Sequence, residues 1–195
     1  MAKVKLAFGY DDERPYGALA DTEAGKILRR QNLAFVKKLT GFLEKRSVPR
    51  TFFILGDYLN RCRKEFSQKE LSAIYLSESY FSDLQQHSYS HPLIKSVPES
   101  DKPILSSTEF LHDLMRVDLI FAMVFGYVPW GLRTPYGYES DLSDVPDIVK
   151  YLSDNGFKFV SSALRGQNGS LEAELTLERQ PHTYAGAGFP NLVEI

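Results

Sequence analysis

Short apolar stretches alternate along the chain with segments whose apolar residues recur at helical spacing. Residues 3–8, KVKLAF, alternate apolar side chains with charged or small ones, which is typical of a strand with one buried face. Residues 51–55, TFFIL, form a continuous apolar run before Gly56 and predict a strand buried on both faces. Further apolar segments that continue this pattern are residues 80–85, 157–162 and 188–195.

Helical spacing predicts four helices between these strands. They run from Asn32 to near residues 45–49, from the sixties to Ser79, from Ser106 to Phe125, and from Asp144 to Asn155. Ser106 is followed three positions later by Glu109, which is the signature of a capping box. Asp144 is the predicted N-cap of the last helix.

Strands that alternate with helices of this length are typical of βαβ units and a parallel sheet. The pattern fits either an open doubly wound sheet or a barrel. No repeat or linker divides residues 1–195, so we expect a single domain. In both architectures the functional loops follow the carboxyl ends of the strands.

Charge and composition exclude several classes of protein. The net charge is −2, the pI is near 6.1, and no run of Lys and Arg exceeds a pair, so we expect no nucleic-acid partner. No stretch approaches the roughly 18 apolar residues of a membrane span. Cys62, the one cysteine, has no partner for an internal disulfide. Without a visible signal peptide we expect a cytoplasmic protein, or a secreted one if a leader was removed.

Three carboxylates follow the first apolar run. Asp11, Asp12 and Glu13 are adjacent in the segment GYDDE, and neighbouring carboxylates raise one another's pKa unless a cation lies between them. Successive residues of a strand point to opposite faces, so both aspartates reach one site only if the strand has already ended in a turn. The segment is therefore either a solvated acidic turn or part of a cation site.

Two of the four histidines lie in one short segment after the predicted strand 80–85. His87 and His91 are four positions apart in HSYSHP, and Pro92 disfavours helical geometry at His91, which indicates a loop. With one aspartate they would supply three metal ligands and leave a position open, as in catalytic zinc sites. A two-histidine, one-carboxylate iron site is the alternative, and two exposed loop histidines without metal are another.

A third segment, RTPYG, follows the apolar residues 127–132. Arg133 could orient a carboxylate through paired hydrogen bonds, and backbone N–H groups of the turn could stabilise an oxyanion. The alternative is an ordinary Pro-Gly turn beside a surface arginine.

Together the segments GYDDE, TFFILG, HSYSHP, RTPYG and DNGFKFVSS resemble, in order and spacing, the motifs of the polysaccharide deacetylases, the NodB-homology carbohydrate esterases. The similarity extends over essentially all 195 residues. It implies a distorted (β/α) barrel with parallel strands and fewer than eight repeats. It also implies a hydrolase that removes acetyl groups from N- or O-acetylated carbohydrate, or cleaves a related non-peptide C–N bond, with a divalent metal ion, usually Zn²⁺.

The resemblance assigns a role to each matching residue. These are Asp12, His87 and His91 as metal ligands, Asp11 as catalytic base, Arg133 as the residue that holds Asp11, and the N–H of Tyr136 as an oxyanion donor. The expected partner is a small-molecule or carbohydrate substrate.

Three departures from the family pattern stand out. Glu13 replaces the glycine of the first motif and creates an Asp-x-Glu alternative for metal binding. The fourth motif lacks its aspartate and tryptophan, and the fifth, Leu-x-His, would lie beyond Ile195. The chain is therefore either part of a longer enzyme or takes its general acid from elsewhere, with His182 as a candidate. A pseudo-enzyme or carbohydrate-binding domain that retains the metal site is the alternative function.

Overall fold

The computed structural model describes residues 8–76, 81–98, 100–166 and 181–195. Strands and helices alternate along these residues. In chain order they are β1 (Gly9–Asp12), α1 (Glu23–Glu44), β2 (Arg50–Ile54), α2 (Gly56–Glu65), α3 (Gln68–Tyr75), β3 (Ser82–Gln86), α4 (Ser107–Phe125), β4 (Gly131–Arg133), α5 (Pro146–Asp154), β5 (Phe159–Ser161), β6 (His182–Tyr184) and β7 (Phe189–Glu194). Among the described residues, no helix has the length and apolar character that crossing a membrane requires.

The strands form one sheet in the order β1-β2-β3-β4-β5-β7-β6. Every neighbouring pair is parallel except β6 and β7, which are antiparallel. The predicted α/β fold with parallel strands is confirmed. The carboxyl ends of β1 to β5 and β7 therefore lie at one edge of the sheet, where function is expected in such folds.

The sheet curls strongly toward one face. The rings of Phe53 on β2 and Phe159 on β5 are 6.1 Å apart between centroids, although these strands are three positions apart in the sheet. In a flat sheet that separation would be about 14 Å. Arg133 of β4 likewise reaches Asp11 of β1. The curvature is that of a partial barrel, and in the described part of the chain β1 and β6 are its unjoined edges.

The helices cover the outer face of the curled sheet with two apolar clusters. The first joins β2 and β3 to helices α1 to α4 through Phe52, Ile54, Leu84, Leu33, Leu59, Leu71 and Phe121. The second joins β4, β5 and β7 to α4 and α5 through Leu132, Val160, Leu192, Leu114, Val149 and Leu152. Burying each such side chain contributes about 1.5–3 kcal/mol, so these clusters hold the strand ends in fixed positions.

The first strand differs from the prediction in a way that matters for the site. Residues 3–7 of the predicted strand 3–8 lie outside the described residues, and Phe8 precedes β1. Asp11 and Asp12 are themselves part of β1, where they pair in register with Phe53 and Ile54 of β2. The two aspartates therefore lie on a strand and not in a turn.

Helix boundaries also differ from those predicted. α1 begins at Glu23, well before Asn32, because the side chain of Thr22 caps it. The polar segment that was predicted as one helix contains two helices, α2 and α3. The backbone is extended at Phe66 and Ser67 between them, and Ser67 begins α3 by forming a capping box with Glu70. The last residues predicted for that helix, 77–79, lie outside the described residues.

Two capping predictions have opposite outcomes. The capping box of Ser106 and Glu109 is confirmed at the start of α4. Asp144 is not the N-cap of α5, because Val145 occupies that position and the Asp144 carboxylate pairs with Lys95 at 2.8 Å. The antiparallel strand β6 was not predicted.

Two glycines give a test of how tightly the sheet is packed. A Cβ atom at Gly131 of β4 would lie 2.3 Å from Cζ of Phe159, so Gly131→Ala should lower the free energy of unfolding by about 1–3 kcal/mol. Gly41 of α1 has nothing within 4 Å of the same position, so Gly41→Ala should cost nothing and could add up to about 1 kcal/mol. Urea denaturation of both variants measures the difference. Equal stability of the two variants would contradict the packing described for β4 and β5.

Candidate functional site

Side chains from two segments, one after β1 and one after β3, meet at the carboxyl edge of the sheet. Glu13 follows β1, His87 follows β3, and His91 lies at the end of the same loop. One oxygen of Glu13 and one nitrogen from each histidine all lie within 4.8 Å of one another. Within the described ranges this is the group of side chains whose geometry suits a metal ion.

The distances within this group are short. Oε2 of Glu13 lies 2.6 Å from Nε2 of His91 and 3.3 Å from Nε2 of His87. Both imidazoles are buried, and Glu13 is partly buried. Three electron-pair donors therefore face one another in a site largely closed to water.

Hydrogen bonding fixes the tautomer of His87. Its Nδ1 lies 2.9 Å from the carbonyl oxygen of Arg133, and because a carbonyl only accepts, Nδ1 carries the proton. In the neutral ring, Nε2 then presents its lone pair to Glu13. In metal sites the ligating histidines are oriented by such a bond from the second ring nitrogen.

The electrostatics of the group call for a positive charge. Burial tends to raise the pKa of Glu13, but hydrogen bonds from His87 and His91, with the charge that these rings carry when protonated, outweigh it and hold the pKa well below its usual range. Nδ1 of His91 is buried and has no hydrogen-bond partner in the described part of the chain. Carboxylate and imidazole lone pairs at these distances repel unless a proton or a metal ion lies between them.

Asp12, predicted as the metal ligand, is not brought to the histidines. Successive side chains of a strand point to opposite faces of the sheet. On β1, Asp12 therefore points to the face opposite to that of Asp11. The Asp12 carboxylate accepts hydrogen bonds from the Tyr75 hydroxyl and the Asn32 amide. Burial raises the pKa of Asp12 to about 6, although both hydrogen bonds act to lower it. Glu13, the acidic residue of the Asp-x-Glu alternative, lies beside the two imidazoles instead.

Asp11 and Arg133 are brought together. Nη1 of Arg133 lies 3.0 Å from Oδ1 of Asp11, whose side chain is exposed at the mouth of the site. The guanidinium also lies over the ring of Phe53 at 4.1 Å, and its Nε donates to the hydroxyl of Ser161 at 3.3 Å. These contacts fix Arg133, and Arg133 in turn restrains the Asp11 carboxylate.

Tyr136 lies beside the same group. Its backbone has a φ of +69°, in the left-handed region, and its carbonyl accepts a hydrogen bond from Nε of Arg165 at 3.0 Å. Among the residues that the structure describes, its N–H has no hydrogen-bond acceptor. This backbone group is therefore available to a ligand.

Two tyrosine rings enclose His91. Tyr16 stacks on the imidazole with centroids 4.9 Å apart, and Tyr136 meets it edge-on at 4.7 Å. Nζ of Lys102 donates to the hydroxyl of Tyr136 at 2.7 Å. This arrangement was not predicted, because the nearness of Tyr16 to Glu13 in the chain is the signal that the sequence offers for it.

The candidate general acid, His182, lies on β6 opposite Glu194 of β7. Its Nε2 is 2.7 Å from Oδ2 of Asp141. Hydrogen bonds from His182 and Ser143 outweigh burial and lower the pKa of Asp141. Since Glu194 ends β7, the pair lies at the same edge of the sheet as the other strand ends.

Comparison with known proteins gives the family. The sequence model described as polysaccharide deacetylase matches residues 24–160, which is more than half of the chain. A search of curated proteins found no matching sequence.

Several solved structures share the fold. A Mycobacterium smegmatis protein assigned to the polysaccharide deacetylases is 23% identical, with a TM-score of 0.56, and the match covers 96% of this chain and 56% of that one. The peptidoglycan N-acetylglucosamine deacetylase Bc1960 is 23% identical, with a TM-score of 0.50 over 79% of this chain and 54% of that one. BA3943, a CE4 family pseudoenzyme from Bacillus anthracis, is 18% identical, with a TM-score of 0.51, and the match covers 80% of this chain and 43% of that one.

At these identities the likeness to the solved structures shows the fold, and the chain spans about half the length of each. The family that the sequence motifs predicted is confirmed by the match over residues 24–160. This chain belongs to the polysaccharide deacetylase family.

Proposed function

We propose that this chain carries the metal-dependent hydrolytic centre of a deacetylase that removes acetyl groups from N- or O-acetylated carbohydrate. One observation carries the proposal: Glu13, His87 and His91 converge beside the pair of Asp11 and Arg133. Membership of the polysaccharide deacetylase family supports a hydrolase that acts on carbohydrate amides.

The three side chains Glu13, His87 and His91 are suitable ligands for a divalent cation, and zinc is the ion that we propose. Two imidazoles and one carboxylate are a ligand set of catalytic zinc sites, which leave a further position open. A bound ion there would lower the pKa of a water molecule and polarise the carbonyl group of the substrate.

Asp11 is the proposed catalytic base. It precedes Glu13 by two residues, its side chain is exposed, and Arg133 holds one of its oxygens at 3.0 Å. This leaves the second oxygen to accept the proton of the attacking water. The contact with Arg133 keeps the Asp11 carboxylate in one orientation. A catalytic base must be oriented in this way toward the water molecule that it deprotonates.

Tyr136 is the proposed oxyanion donor. The ring of Tyr136 contacts His91, and its backbone N–H has no acceptor among the described residues, so this N–H is the group that would donate to the oxygen that gains charge in the tetrahedral intermediate. The rings of Tyr16 and Tyr136 supply apolar walls beside the site, and such rings can stack on a sugar. The departing amine needs a proton, for which His182 is the candidate that this chain offers.

The alternative is a catalytically impaired domain that binds metal and carbohydrate without turnover. It is supported by the missing aspartate and tryptophan of the fourth motif. The fold is also shared with BA3943, which is described as a CE4 family pseudoenzyme. Metal binding without release of acetate would favour this alternative.

Metal content distinguishes Glu13 from Asp12 as the ligand. Glu13→Gln replaces a charged ligand with a weak one, so bound zinc should fall from about one ion per chain to near none. Asp12→Asn changes a carboxylate that faces Tyr75 and Asn32, so this variant should keep its zinc. Elemental analysis after dialysis against a weak chelator gives both values. Loss of zinc from Asp12→Asn with retention by Glu13→Gln would reverse the assignment.

Acetate release tests the reaction itself. Purified protein with added Zn²⁺ or Co²⁺ should release acetate from members of a panel of N- and O-acetylated sugar oligomers. Asp11→Asn should lower kcat by about 10²- to 10⁴-fold, because it removes the base. The same variant should keep its zinc, because Asp11 is not among the three converging ligands.

Cyclic amides in the same panel test the related cleavage of other C–N bonds, which is detected as loss of the ring amide and appearance of the ring-opened carboxylate. If Asp11→Asn released acetate at the wild-type rate, the catalytic base would have to be another group. Turnover unaffected by removal of the metal would contradict the metal-dependent mechanism.

A further inference from the structure

The short loop between the two histidines is held from both sides by helices. We propose that Asp113 of α4 is a positioning residue for the metal site, because it fixes this loop so that His87 and His91 meet Glu13. The inference rests on the proposed function and adds a residue that lies 22 positions beyond His91 in the chain.

The loop has an unfavourable backbone. Ser88 has a φ of +62° and His91 a φ of +58°, both in the left-handed region that favours glycine. Non-glycine residues keep such a conformation only when their surroundings enforce it. The positions of both imidazoles therefore depend on contacts from outside the loop.

Asp113 supplies those contacts from α4. Its Oδ2 accepts hydrogen bonds from the N–H groups of Tyr89 at 2.6 Å and Ser90 at 3.2 Å, and its Oδ1 accepts the Ser90 hydroxyl at 2.6 Å. The carboxylate is buried, with 6% of the residue exposed. Hydrogen bonds to a buried charge are among the strongest in proteins, and all three go to residues between the histidines.

α2 supplies the opposite side. The N–H groups of Gly56 and Asp57, at the start of this helix, donate to the carbonyls of Ser88 at 2.8 Å and Tyr89 at 3.0 Å. The loop thus presents N–H groups to α4 and carbonyls to α2. A Cβ atom at Gly56 would lie 2.8 Å from Cδ2 of Tyr89, so the fit on this side is tight.

The Tyr89 side chain is held between the same helices. The guanidinium of Arg116 on α4 lies 3.5 Å from the centre of its ring, and the amide of Asn60 on α2 donates to its hydroxyl at 3.3 Å. With these contacts in place, loss of the Asp113 carboxylate would leave the N–H groups of Tyr89 and Ser90 without the acceptor that holds them. The loop would then move to satisfy them, and the two Nε2 atoms would separate.

Zinc affinity of the apo protein tests this role. Asp113→Ala should weaken zinc binding, measured by competition with a chromophoric chelator, by about 10- to 100-fold, the range found for groups that orient metal ligands. The visible absorption spectrum of the Co²⁺-loaded protein should change as well. Asp113→Asn keeps one acceptor oxygen and should recover part of the affinity.

Glu44→Ala is the matched control for lost stability. Glu44 pairs at 3.0 Å with Arg50, whose side chain is fully buried at the start of β2, the edge of the sheet opposite to the histidines. This variant should lower the melting temperature and leave zinc affinity unchanged. If Asp113→Ala does not fold, Ser90→Ala removes one of the three hydrogen bonds and should give a smaller loss of affinity.

The outcomes separate this role from the proposed function. Zinc affinity of Asp113→Ala within twofold of wild type, or a loss matched by Glu44→Ala, would overturn the positioning role and leave the proposed function intact. Failure of the wild-type protein to bind zinc would overturn both. A selective loss in Asp113→Ala, with partial recovery in Asp113→Asn, is the result that we expect.

Discussion

Successive side chains of a β-strand point to opposite faces, and in β1 this alternation decides which carboxylate reaches the histidines. Asp11 is exposed at the mouth of the site, and Asp12 is buried against Tyr75 and Asn32. Glu13, two residues after Asp11, contacts both imidazoles. One strand thus supplies the proposed base on one side of the sheet and a buried, hydrogen-bonded carboxylate on the other. The adjacent carboxylates occupy separate environments, although the charge of Glu13 still contributes to the raised pKa of Asp12.

The curl of the sheet is the second condition for the site. It allows Arg133 of β4 to reach Asp11 of β1 across the intervening strands. The apolar clusters on the outer face hold that curvature. The backbone at Ser88, His91 and Tyr136 is left-handed, and each of these positions is next to or part of the site. Such strain persists where the surroundings are rigid, and here helices α2 and α4 provide that rigidity for the histidine loop.

Much of the architecture could be predicted from the sequence. The apolar run before Gly56 gave β2, the spacing of Ser106 and Glu109 gave the start of α4, and the combination of motifs gave the family. The first two features are local, so a single segment of sequence contains the whole signal, whereas the family required several segments taken together. The strand β6 was missed because its three residues carry no apolar alternation, and its pairing with β7 depends on tertiary structure.

The details of the site were harder to predict for a related reason. Whether Asp12 or Glu13 lies beside the histidines depends on where β1 ends. The end of β1 is set by its pairing with β2 and not by local composition. Asp113 could not be found at all from the sequence. It lies in an apolar helix, and nothing in its own segment shows that its carboxylate faces the histidine loop.

The central claim is that Glu13, with His87 and His91, holds a divalent cation. Anomalous diffraction from crystals grown with zinc, measured at the zinc absorption edge, tests it directly. We expect one peak about 2.0–2.2 Å from a Glu13 oxygen and from Nε2 of each histidine. A peak held by the Asp12 carboxylate, or no peak beside the two imidazoles, would contradict the account.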